Sequence, residues 1–133
     1  MKRTALLNSE LSQLIATMGH GDTLVIGDAG LPVPAGVRRI DVAVTQGVPT
    51  VAQVLMAVLS ELQVERAVIA QECLAATGEL PNWYSSQAMG LPAAPHIVSH
   101  DDLKALSRNA VAVVRTGEFT PYANIALVAG VVF

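Results

Sequence analysis

Leu11, Leu14, Ile15 and Met18 recur at the three- and four-residue spacing of one helix face, with Asn8 or Ser9 placed to cap the start and Gly19 to end it. The pattern then tightens. TLVIG, residues 23–27, is a short apolar run between turn residues, and RRIDVAVT, 38–45, alternates until QGVP closes it, so both predict strands. Thr50 and Gln53 have capping-box spacing ahead of Val54, Leu55, Val58, Leu59 and Leu62, which predicts a second amphipathic helix over 51–62, packed on a sheet. RAVIA, 66–70, predicts a buried strand. The stretch 78–95 is rich in Gly, Pro and Ser and predicts a loop with one short helix. HIV, 96–98, predicts a further strand, and Ser99 pairs with Asp102 as a cap for the short helix DDLKALS. NAVAVVRTG, 109–117, and NIALVAGVVF, 124–133, predict the last two strands.

Strands alternating with helices, with Val-rich runs, imply an α/β fold: a three-layer α/β/α sandwich around a mixed, mostly parallel sheet. The sheet should be mixed because the last two strands are joined by a short link. No linker, repeat or low-complexity stretch divides the chain, so residues 1–133 are expected to form one domain.

Composition changes that picture in one respect. Hydrophobic residues are 52% of the chain and charged ones 14%, against a usual charged share of about 25%. No uncharged stretch reaches the ~18 apolar residues of a membrane span, so the surplus apolar surface is expected to meet other protein in an oligomer. Lys2 and Arg3 are followed too soon by Asn8, Ser9 and Glu10 for a secretory leader, and a cytoplasmic location is expected. The single cysteine, Cys73, agrees with a reducing compartment and reads as a small buried or half-buried thiol rather than a nucleophile. A net charge of -3, no basic cluster and five aromatic residues argue against a nucleic-acid partner.

The polar residues retained by so apolar a chain are the candidates for chemistry. His20 follows the first helix, where a histidine can simply satisfy the helix end or can serve as a proton donor. Asp28 can be a turn former before Ala29-Gly30-Leu31-Pro32, yet it stands at the carboxyl end of a predicted strand, where open α/β sheets bind ligands. His100 is the first residue after the Ser99 cap. Lys104 lies four residues on and on the same helix face, so the two could reach one ligand, although an ordinary solvated lysine fits as well. Tyr122, Ala123 and Asn124 stand at the mouth of the last strand, where a phenol and a carboxamide are natural partners for sugar hydroxyls. Asp22, Arg38, Asp41, Arg115 and Glu118 fit structural ion pairs or interface contacts and are set apart from the site. No P-loop or GxGxxG cradle is present, which argues against a kinase or dehydrogenase.

LNSELSQLIATMGHGDTLVIGDAGLPVP, RIDVAVTQGVPTVAQVL and RTGEFTPYANIALVAGVVF together resemble the RbsD/FucU sugar mutarotases, in their D-ribose pyranase (RbsD) branch. The resemblance covers about the first 72 and the last 35 residues in order. It implies that His20 is the proton donor, that Asp28 binds the sugar and contributes to catalysis, and that His100, Lys104, Tyr122, Ala123 and Asn124 bind substrate. It also implies pentameric rings stacked into decamers with sites at subunit boundaries, D-ribose as substrate, no cofactor and no metal. One acid and one base suffice to open and reclose a sugar ring. GHGD, with Gly21, resembles the L-fucose branch instead, and Cys73 to Pro95 resembles nothing specific. L-fucose mutarotation, a non-catalytic sugar-binding component and, more remotely, a metal held by His20, His100 and Asp28 are the competing readings.

Overall fold

The computed structural model describes residues 1–84 and 90–133. Its strands are β1 (Thr23–Gly27), β2 (Arg39–Asp41), β3 (Val64–Ala70), β4 (His96–Val98), β5 (Ala112–Arg115) and β6 (Ile125–Ala129). The helices among the described residues are α1 (Ser9–Thr17), α2 (Val51–Leu59) and α3 (His100–Ser107), with a 3-10 turn at Gln71–Cys73. The strands form one sheet in the order β2-β5-β1-β6-β3-β4. β1, β2, β3, β4 and β5 run the same way, and β6 alone runs against its neighbours β1 and β3.

Alternation within the strands sorts the core into two faces. Leu24 and Ile26 of β1 join Leu11, Leu14 and Ile15 of α1 and Val51, Val54, Leu55 and Val58 of α2 on one side. Val25 faces the other way and meets Leu103 of α3, Val113 and Ala126. The result is α1 and α2, the sheet, and α3 in three layers, as the pattern predicts. Asn8 caps α1 by accepting the Leu11 N–H, and Thr50 with Gln53 forms the capping box of α2.

Boundaries differ where tertiary contacts decide them. β2 keeps only Arg39–Asp41 of the predicted 38–45, because its sole neighbour, β5, ends at Arg115; beyond it Thr45 and Val48 close a local bridge. α2 stops at Leu59, although the Leu62 N–H still reaches the Val58 carbonyl at 2.9 Å and Leu62 stays in the core. β3 begins at Val64, two residues earlier than predicted, through a bulge between Val64 and Arg66. The short helix expected within 78–95 falls where 85–89 lie outside the described residues. Among the described residues no helix is long and apolar enough to cross a membrane.

Candidate active site

The nine residues linking β5 to β6 put most of the predicted site together. β5 and β6 flank β1 on opposite sides, so the link must pass over the carboxyl end of β1. It is tied there: Thr116 donates its N–H and its hydroxyl to the Gly27 carbonyl at 3.1 and 2.8 Å, and the Ala29 N–H donates to the Glu118 carbonyl at 2.9 Å. Asp28, directly after β1, donates its N–H to Asn124 Oδ1 at 2.8 Å and accepts the Gly30 N–H on its own carboxylate at 2.9 Å. Glycine at 27 makes this approach possible, since a Cβ there would stand 2.9 Å from Asn124 Oδ1.

Tyr122 is the one described non-glycine residue with positive φ, at 62°. For a bulky side chain this conformation is strained, and the surrounding structure must hold it. The Tyr122 carbonyl accepts the Asn124 N–H at 2.8 Å, with Ala123 buried between them. The Tyr122 ring meets the His100 ring edge-on, with centroids 5.0 Å apart. His100 opens α3, whose cap Ser99 accepts the Asp102 N–H, and the His100 backbone N–H donates to Glu72 Oε2 at 2.6 Å. Among the described residues, His100 Nδ1 and Asn124 Nδ2 are the two buried side-chain polar atoms left without a hydrogen-bond partner. Such atoms are costly unless a ligand or solvent engages them. Asp28, Asn124, Tyr122 and His100 are thus joined by successive contacts near a strand end, and a carboxylate, a carboxamide N–H, an imidazole and a phenol in that group suit a small polyhydroxylated ligand.

Asp28 lines a cleft of about 410 Å³ with Ala29, Gly30, Arg115, Glu118 and Phe119 among its walls. Arg115 and Glu118, set apart in the sequence, therefore border the site. Arg115 pairs with Asp41 at 3.1 Å and donates to the Ala29 carbonyl, while Glu118 accepts the first N–H of α2 from Val51. Arg115 ends β5 and TGE follows it as DAG follows β1, and that parallel was the available signal. Lys104 lies elsewhere: it lines a separate cleft of about 420 Å³ with Pro32, Pro34 and Arg108, and its ammonium meets Asp101 at 3.0 Å. That hydrogen bond and charge hold the Asp101 carboxyl below its ordinary range. Cys73 is half-buried, and desolvation pushes its thiol up.

His20 is not brought to Asp28 within one chain. It stands in the turn before β1 and Asp28 follows β1, so the five-residue strand separates them by roughly 16 Å at ~3.3 Å per residue. The reason is the strand itself, which leaves the two residues beyond its opposite ends. At its own end His20 meets Glu65 of β3, Nε2 to Oε2, at 2.9 Å. Glu65 and Glu72 both escaped sequence reading, because their partners lie 45 and 28 residues away in the chain.

A model of the RbsD / FucU transport protein family matches residues 1–132. The chain is 63% identical over 135 residues to a D-ribose pyranase of Variovorax paradoxus and 61% identical over 134 residues to one of Paracidovorax citrulli, with both partners covered end to end. Among solved structures, Bacillus subtilis RbsD complexed with D-ribose is 41% identical, with a TM-score of 0.89 and full coverage of both chains. A Streptococcus pneumoniae fucose mutarotase in complex with L-fucose shares the fold at a TM-score of 0.79 and 23% identity, again over both whole chains.

Proposed function

The chain belongs to the RbsD/FucU family, and on that premise we propose that it is a D-ribose pyranase, a cofactor-independent isomerase that interconverts the pyranose and furanose forms of free D-ribose. The observation that carries this reading is the cluster of Asp28, His100, Tyr122 and Asn124 at the carboxyl end of β1, with two buried polar atoms that have no partner among the described residues. Those side chains hold the sugar hydroxyls. Ala123 sets the spacing between the last two, whereas Lys104, in its separate cleft and paired with Asp101, stands outside this cluster.

The chemistry needs one proton shuttle and one partner. Opening the pyranose places a proton on the ring oxygen, O5, while the hydroxyl proton of O1 leaves and C1 becomes a carbonyl. Closing the furanose reverses this with O4: O4 attacks C1 and loses its proton, and O1 regains one. Protons balance over the cycle. His20 donates to O5 and recovers a proton from O4, and Asp28, directly or through water, serves O1. Since one chain holds His20 and Asp28 beyond opposite ends of β1, a complete site takes His20 from one subunit and the Asp28 cluster from its neighbour. Exposed Leu7, Val44, Met56, Phe119, Val132 and Phe133, with an apolar cleft of about 220 Å³ between α1 and α2, support such an assembly. A decamer of stacked pentamers acting on ribose in the cytoplasm is the form we propose.

Saturation-transfer NMR on D-ribose and on L-fucose tests the proposal. The protein is expected to accelerate exchange between ribose pyranose and furanose signals, and His20→Ala to lose about 100-fold or more of that acceleration, the usual share of positioned acid-base catalysis. No acceleration of ribose exchange by the unaltered protein would overturn it.

A further inference from the structure

Glu65 is the extra residue of the bulge in β3: Val64 faces Ala129 and Arg66 faces Val128, which leaves Glu65 without a counterpart on β6. A bulge turns one side chain out of the strand's regular alternation, and bulges recur beside active sites for that reason. Here the side chain is turned onto His20, Oε2 to Nε2 at 2.9 Å. The end of β6 holds both partners. The Gly21 N–H donates to the Ala129 carbonyl, and the Ala129 N–H to the Asp22 carbonyl, while the Gly130 N–H donates to the Gln63 carbonyl beside the bulge. Gly130 passes so close that a Cβ on it would stand 3.0 Å from Glu65 Cβ. The turn carrying His20 is closed from within as well, by the Gly19 N–H to Asp22 Oδ2 at 2.8 Å.

Both side chains are about half exposed, and an ion pair at such a site adds little stability. What it can do is select a nitrogen. A carboxylate accepting Nε2–H fixes the ring's tautomer and orientation and leaves Nδ1, which bonds to no described residue, as the atom that exchanges protons. We propose that Glu65 is the positioning residue for His20, holding Nε2–H so that Nδ1 alone faces the sugar. This rests on the reading of His20 as proton donor. With Nε2–H retained throughout, Nδ1–H gives its proton to O5 on opening, and the bare Nδ1 takes one from O4 on closing.

The test compares the assembled wild-type protein with Glu65→Ala and Glu65→Gln, the last retaining an oxygen that can accept Nε2–H. Imidazole 15N shifts of His20 should show the Nε2–H tautomer in wild type and Glu65→Gln and a mixture in Glu65→Ala. Ribose exchange should fall about 10-fold in kcat for Glu65→Ala with KM within about twofold, and stay within about threefold of wild type for Glu65→Gln, as expected for part of an acid-base contribution. A Glu65→Ala protein with wild-type kcat, or one that loses rate with an unchanged tautomer or only through loss of assembly in sedimentation, overturns the assignment. Failure of wild type to accelerate exchange would sink the functional reading instead, and the tautomer measurement would still decide the pairing.

Discussion

Asn124 uses one carboxamide for two purposes: Oδ1 fixes the backbone of Asp28, and Nδ2 is buried with no partner among the described residues. Both depend on the bare backbone at Gly27. Gly27→Ala would press a methyl against Asn124 Oδ1 at 2.9 Å and against Leu31, an overpacking that costs about 1–3 kcal/mol. Thermal unfolding should show that loss, and ribose affinity should fall by more than the unfolded fraction explains. Cys73 offers an independent check on the environment between β3 and the site. Because burial raises its pKa, the thiol stays protonated at neutral pH and above. Alkylation by iodoacetamide at pH 8 should run several-fold slower than for an unfolded control of the same chain; an equal rate would show the thiol to be solvated.

At the scale of elements, the cap of α3 supports the candidate site. Ser99 accepts the Asp102 N–H at 3.0 Å and thereby stabilises the turn from which His100 projects. Ser99→Ala should cost about 1 kcal/mol, as should Asn8→Ala at the start of α1. Only the first should also weaken ribose binding in titration calorimetry. The caps, the apolar runs and the strand-end positions of Asp28 and Asn124 were legible because they are local: capping spacing and TLVIG name their own structure. Strand ends were less so. Alternation through Thr45 reports which faces could be buried and says nothing of β5 stopping at Arg115. The bulge at Glu65 breaks the alternation that would have announced the start of β3. The pairings of His20 with Glu65 and of His100 with Glu72 depend on which strands become neighbours, which no local pattern encodes. The distance between His20 and Asp28 could have been read, since a strand lies between them, yet their closeness in sequence hid it.

At the scale of the whole molecule, a 133-residue chain with 14% charged residues places His20 and Asp28 beyond opposite ends of one central strand. In the proposed shared site, association would complete the chemistry as well as the burial. Sedimentation at micromolar concentration should show species several times larger than the 13.9 kDa chain. The most direct measurement mixes two inactive proteins, His20→Ala and Asp28→Ala, in equal amounts by co-expression, and reads ribose pyranose–furanose exchange by NMR. If each site draws His20 from one subunit and Asp28 from another, random assortment restores about a quarter of the wild-type rate. Mixed assemblies as inactive as either parent would contradict the shared site.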